Sequence, residues 1–241
     1  MGLLLLWHCI VSLTGAPHYI LPGPLPVARA FASHYQILFG HMWITLAEIV
    51  AGLCLGTFLG CSCALSMILS PRLKRWMLPV LVISQAIPVF ALAPLLVLWF
   101  GYGMASKVAM AVLIIFFPVA SSFYYGMRRT DSDLLDLARI MGGSPFAILR
   151  SIVIPSAMPA FAGGLRVAAA VSPIGAVVGE WVGASGGLGY YMLHANARMQ
   201  IDRMFAALFL LAVVSVILYF TVDLLLSKTI YWEKTTELNN D

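Results

Sequence analysis

Two carboxylates interrupt long apolar stretches: Glu48 lies within 43–69, and Glu180 stands near the end of 160–182, beside Trp181. A charged side chain at the centre of a bilayer costs about 3 kcal/mol or more, so such groups mark transport or relay sites by default. Two readings of Glu48 stand: a carboxylate lining a pathway, or one near its helix end that reaches interfacial water. For Trp181 the ordinary role is an interfacial anchor. Gln85, Pro88 and Pro94 fall together in a third apolar stretch. Prolines kink membrane helices and free backbone carbonyls, and broken helices recur at transport sites. These three either line a cavity or serve helix packing alone.

Other chemistry is poorly supplied. His8, His18, His34, His41 and His194 show no H-E-x-x-H spacing, so no metal site is expected. Cys9, Cys54, Cys61 and Cys63 sit in apolar sequence and read as small hydrophobes. None of the four lysines (Lys74, Lys107, Lys228, Lys234) follows a glycine, which excludes a phosphate-cradling G-x-x-x-x-G-K-[ST] loop. No catalytic residue is expected in this chain.

The elements that must position these groups are membrane helices. Of 241 residues, 61% are hydrophobic and 10% charged, against about 25% charged in a typical soluble domain. Residues 49–71, 76–106, 108–127 and 204–222 carry no charge, and about 20 apolar residues cross a bilayer as a helix. The expected fold is an all-α polytopic bundle of about six transmembrane helices: Leu3 to about Ala16, then 43–69, 77–100, 106–126, 160–182 and 204–227. The proline-rich segment 17–26 is extended, 27–41 forms a surface helix leading in, and Gly183–Asp202 is a glycine-rich loop. One transmembrane domain fills 1–241, with its core at about 43–227, a two-helix loop at 130–156 and an outer loop at 183–203.

Charge placement sets the orientation. Ten of the fourteen basic residues fall on one side when the loops after the second and fourth spans and the C-terminus share it: Arg72, Lys74, Arg75, Arg128, Arg129, Arg139, Arg150, Arg166, Lys228 and Lys234. That side is the cytoplasm, and both termini lie there. Arg29, Lys107, Arg198 and Arg203 are left for the other side, and the net charge of +4 reflects orientation in a bilayer and not nucleic acid. Arg166 is placed to snorkel toward headgroups, Asp223 to pair locally, and His41, Asn196 and Arg198 to be solvated loop residues or contacts for an external partner protein.

Within the cytoplasmic loop, Asp131, Ser132 and Asp133 suit a helix start. Leu134, Leu135, Leu137, Ala138 and Met141 make a helical apolar stripe. Gly142-Gly143 stops that helix, Ser144-Pro145 starts a second, and Pro155 ends it. Such a pair makes either a rigid knob or an amphipathic hairpin lying on the membrane.

The spacing Asp136-Leu137-Ala138, Gly142, Ile152-Val153-Ile154-Pro155 resembles the cytoplasmic motif E-A-A, three residues, G, nine residues, I-x-L-P of permease subunits of binding-protein-dependent ABC importers. Ile20-Leu21-Pro22, Ala86-Ile87-Pro88, Ala93-Pro94-Leu95, Trp99-Phe100-Gly101 and Gly179-Glu180-Trp181-Val182-Gly183 resemble the branch that carries nitrate, taurine, alkanesulfonates and thiamine precursors. The resemblance implies that Asp136, Leu137, Ala138, Gly142, Ile152, Ile154 and Pro155 couple to a separate cytoplasmic ATPase, which binds ATP and Mg. It also implies a second permease copy, an extracytoplasmic substrate-binding protein and a bacterial inner-membrane location. Glu180 would then line the outer gate beneath the docked binding protein. Glu48, where anion carriers often have Arg, suits a neutral or cationic substrate. Together with Leu193-His194-Ala195-Asn196-Ala197-Arg198, the pattern is most similar to hydroxymethylpyrimidine permeases, with sulfonate, taurine or nitrate as the alternative. A secondary carrier would want more intramembrane ionisable groups and internal repeats. An intramembrane enzyme would want a catalytic constellation that is missing.

Overall fold

The computed structural model describes residues 2–15 and 17–232, so Ala16 and Lys234 lie outside the described residues. Every regular element among them is helical. Helix α1, Gly2–Thr14, has 13 residues, too few to cross a bilayer as a straight helix. Helix α2, Pro24–Leu69, runs for 46 residues. The expected lead-in helix and second span follow one another without a loop, and the two helices meet at a kink at His34 (φ −124°, ψ 17°), earlier than the expected boundary. Ser70 caps the next helix, accepting from the Leu73 N–H, and Pro71 takes its first position, where a missing N–H costs nothing.

The expected third span is two helices. Helix α3 is Pro71–Ala86 and helix α4 is Val89–Phe100, capped by Pro88. Pro88 forces the residue before it out of helical backbone, and Ile87 is extended (φ −88°, ψ 120°). Pro94 is absorbed inside α4. Helix α5, Met104–Arg128, follows, then α6, Ser132–Ile140, and α7, Pro145–Ile148. A π turn, Leu149–Val153, joins α7 to α8, Ile154–Gly183. Helix α9, Leu188–Ala197, occupies the stretch expected to be a loop, and α10 is Ile201–Thr229. Among the described residues, four stretches are long and apolar enough to span a membrane, or five if α3 and α4 together form one broken span.

Two compact units divide the chain. The first comprises residues 1–52, 88–112 and 172–217. Its core is Leu38 and Met42 from α2, Val177 from α8, Leu188 and Met192 from α9, and Ala206, Ala207 and Leu210 from α10. Small residues set the helix spacing: a Cβ at Gly52 would overlap the Ala111 methyl, and one at Gly175 would come 2.7 Å from the Ala111 Cα. Close backbone approach through small residues is how helices associate where lipid removes the hydrophobic incentive. The second unit comprises 53–87, 113–171 and 218–241, with a core of Ala64, Met67, Leu81, Ala120, Phe123, Tyr124, Met127 and Ala157.

Candidate functional site

Helix α9 starts inside the first unit, where its free N–H groups cannot reach water. The first N–H groups of a helix have no partner within it and must be met by something else. Here side chains from two other helices meet them in succession. Gly187 N–H donates to His41 Nδ1 (3.0 Å), and Leu188 N–H donates to Thr45 Oγ1 (2.7 Å). Gly189 N–H and Tyr190 N–H both donate to Glu180 Oε2, the latter at 3.2 Å. His41, Thr45 and Glu48 fall at helical spacing on one face of α2. Glu180 comes from the last turns of α8, 1% exposed. Its negative charge also suits the positive end of the α9 dipole. Gly187 has φ +111°, and a Cβ there would overlap the Glu180 carboxylate. Only glycine fits.

Thr45 ties the arrangement together by donating its hydroxyl proton to Glu180 Oε1 at 2.6 Å while it accepts from Leu188. One turn along α2, Glu48 Oε1 pairs with Lys107 Nζ of α5 at 3.0 Å. Glu48 is 1% exposed and Lys107 5%. Glu48 therefore does not reach interfacial water, and Lys107 is not a loop charge. Gly179 makes room for it: a Cβ there would lie 3.0 Å from the Lys107 Cα. His41 likewise is a helix residue engaged in the site, 5.3 Å from the Tyr191 ring, and Asn196 and Arg198 belong to α9 and its C-terminal end.

The remaining pathway candidates separate from this cluster. Gln85, Pro88, Pro94 and Trp181 are exposed on the single chain, and none belongs to the hydrogen-bonded group around Glu180. In the second unit Arg166 Nε lies 2.6 Å from Asp223 Oδ1. Asp223 thus pairs locally as expected, and Arg166 is held by it instead of only snorkelling. The first unit also contains a cavity of about 260 Å³ lined by Tyr190, Tyr191, His194, Arg198, Gln200 and Arg203.

The loop at 130–156 has the expected local chemistry. Asp131 caps α6, accepting from the Asp133 N–H. Gly142 turns the chain at φ +79°, and Ser144 caps α7, with Pro145 in its first position. Asp136 pairs with Arg139 at 2.6 Å on the surface. No residue of α6 is buried, and Leu134, Leu137, Ile140, Met141 and Phe146 are exposed. Two details show how the loop is built, and the second departs from expectation. Space around Gly142 is open, so its glycine is required by φ and not by crowding; Gly143 is the crowded one, 2.8 Å from the Ala138 oxygen if it carried a Cβ. Pro155 does not end the second helix, because the chain stays helical from Pro145 to Gly183. Pro155 is the second residue of α8, and the π turn ahead of it widens the hydrogen-bond ladder where the proline lacks an N–H. Ile152 lies in that π turn and Ile154 opens α8.

Residues 52–231 match the family model of the binding-protein-dependent transport system inner membrane component. The chain is 54% identical to a probable ABC transporter permease protein of Haemophilus influenzae, over 95% of this chain and 94% of that one. It is 36% identical to the formylaminopyrimidine transport permease protein ThiX of Halalkalibacterium halodurans (96% and 93% covered). It is also 36% identical to the riboflavin transport system permease protein RibX of Chloroflexus aurantiacus (97% and 88% covered). A chain in an inward-facing structure of the MetNI methionine ABC transporter superposes with a TM-score of 0.70 at 19% identity, covering 81% of this chain and 97% of that one, and shares the fold. Membrane helices, an exposed two-helix knob and these relatives converge: the chain belongs to the binding-protein-dependent inner-membrane component family and is a permease subunit of an ABC importer.

Proposed function

We propose that this permease carries a thiamine pyrimidine precursor of the hydroxymethylpyrimidine type, and that its 130–156 knob seats in a cytoplasmic ATPase. The knob rests on one observation: Leu137, Ile140, Met141 and Phe146 stand exposed on a short capped element. Apolar side chains grouped on a rigid corner are a surface in want of a partner. In this reading a second copy of the chain completes the pathway, and an extracytoplasmic binding protein delivers the substrate. ATP and Mg bind to the ATPase, which does the hydrolysis. The end of α10 faces the cytoplasm, on the side of the knob.

The pyrimidine assignment is supported by the likeness to the formylaminopyrimidine permease. Within the helices Lys107 is matched by Glu48 and Arg166 by Asp223, which suits a neutral or weakly basic substrate. Arg198 and Arg203 at the cavity are the cations that the alternative, a sulfonate or nitrate, would use. The test is to identify the binding protein that works with this permease and titrate it with hydroxymethylpyrimidine, riboflavin and taurine. Tight binding of the pyrimidine alone is expected. Tight binding of taurine and not the pyrimidine would reverse the assignment.

A further inference from the structure

We propose that a cavity between α5 and α8 in the second unit binds one anionic phospholipid, its phosphate against Arg129 and an acyl chain along Phe117. The inference needs only that α5 crosses a bilayer, and neither the substrate assignment nor the ATPase. The cavity, of about 370 Å³, is lined by Phe117, Ser121, Ser122 and Tyr125 of α5, by Arg129 just past its end, and by Ala160 of α8. Residues 117, 121 and 125 share one face of the helix at steps of four, with 122 and 129 beside them. From Phe117 to Arg129 the helical rise amounts to about 18 Å. One leaflet is about 15 Å deep, half of a hydrocarbon core of about 30 Å. Polarity climbs in the same order: an apolar ring, two hydroxyls, a phenol, then a guanidinium. A phospholipid climbs likewise, from acyl chain through ester to phosphate. Close helix packing fixes the walls. A Cβ at Gly126 would come 2.8 Å from the Ala160 methyl, and one at Gly164 would come 2.6 Å from the Pro118 oxygen.

Charge points to the sign of the headgroup. Two further cations gather at the same end of α5. Lys74 Nζ and the Arg128 guanidinium carbon lie 6.0 and 5.9 Å from the centroid of the Tyr124 ring. That ring is 2% exposed and meets Tyr125 of the cavity edge-on, with centroids 5.4 Å apart. No carboxylate pairs with Lys74, Arg128 or Arg129 among the described residues: the ion pairs of this unit are Arg139–Asp136 and Arg166–Asp223. Asp131, the next acidic residue along the chain, is committed to the start of α6. Basic side chains collected at headgroup level attract anionic lipids. A water-soluble subunit could meet the cations, but it does not reach down the helix to Phe117. A phospholipid fills both ends of the cavity at once.

The test offers the purified transporter, permease with its ATPase, equal amounts of phosphatidylglycerol and phosphatidylcholine in detergent. Native mass spectrometry then counts the lipids retained. Phosphatidylglycerol should be kept at least about fivefold over phosphatidylcholine, and Arg129→Gln should lower its retention by a similar factor, as expected for one basic side chain at an anionic headgroup. Ala160→Phe should also lower it with every cation in place, because the ring fills the cavity. Arg72→Gln, at an exposed cation near the start of α3 and outside the cavity, should leave retention unchanged. A large excess of inorganic phosphate should not displace the lipid, since its acyl chain is held as well. Displacement would mean that the site takes a free anion, and would overturn the proposal. Equal retention of the two lipids would overturn it too, as would full retention in Arg129→Gln or an equal loss in Arg72→Gln. An Arg129→Gln variant that keeps its lipid and sheds the ATPase would give these cations to the protein partner instead. If Ala160→Phe does not assemble, Arg129→Gln measured against Arg72→Gln decides alone.

Discussion

Thr45 and Glu180 share a hydrogen bond of 2.6 Å that joins α2 to α8, and the same Thr45 oxygen receives the Leu188 N–H at 2.7 Å. One hydroxyl thus donates to the clamp and accepts from the helix it holds. Thr45→Ser should keep both bonds and near-normal stability. Thr45→Val keeps the shape but strands a buried N–H, at a cost of about 1–3 kcal/mol. Thermal unfolding of the detergent-solubilised transporter, run on both variants, reads the difference. Equal midpoints would show that the hydroxyl does not carry the contact.

Gly187 and Gly142 both have positive φ, yet they should respond differently to substitution. Gly187→Ala meets the Glu180 carboxylate as well as an unfavourable φ, so it should displace α9 and abolish uptake. Gly142 has only the φ requirement, at +79° in open space, and asparagine accepts that backbone better than other residues. Gly142→Asn should retain most uptake. Gly142→Pro, whose φ is locked near −65°, should insert in the membrane and lose coupling. Uptake assays at matched permease levels separate the cases.

Charges of equal formal type should also differ in cost. Arg166 and Asp223 pair at 2.6 Å, but their side chains remain 27% and 38% exposed, and screening holds such a pair to about 1 kcal/mol or less. Arg166→Gln should therefore leave folding and membrane level close to normal. Lys107→Met should not, because its pair is withdrawn from solvent. Parallel measurements of membrane abundance test the contrast, and an equal loss from both substitutions would refute it.

Part of this molecule was legible from sequence, for physical reasons. Charge-free runs are read directly as membrane helices, and 106–126, 160–182 and 204–227 lie within α5, α8 and α10. Asp131, Ser144 and Pro145 announced their helix starts through local bonds. Glu48 and Glu180 stood out as carboxylates in apolar sequence, but the partners that make them a site were not legible. Helix α9 hides in a glycine-rich stretch because its cap is supplied by His41, Thr45 and Glu180, all distant in sequence or across the turn. Lys107 looked like a boundary charge because a lone lysine between apolar runs gives no hint of a carboxylate on another helix. The break at Ile87-Pro88 had a signal, since a residue before proline leaves helical backbone. Proline content alone did not separate it from the tolerated Pro94.

The knob predicts a surface with a partner. Ile140, 84% exposed at the end of α6, touches nothing that its loss would unfold. Ile140→Asp should reach the membrane in normal amount yet fail to co-purify with the ATPase, while Asp136→Asn at the exposed Asp136–Arg139 pair should have little effect on folding. Pull-down of the tagged permease from solubilised membranes measures both.

The central claim is that ATP-driven motion enters this permease through the 130–156 loop. The most direct measurement is ATP hydrolysis and substrate uptake recorded together, in vesicles containing the full transporter, for the wild-type chain and for Gly142→Pro. Retained membrane insertion with uptake lost while hydrolysis continues is the predicted result. Undiminished uptake in Gly142→Pro would contradict the account.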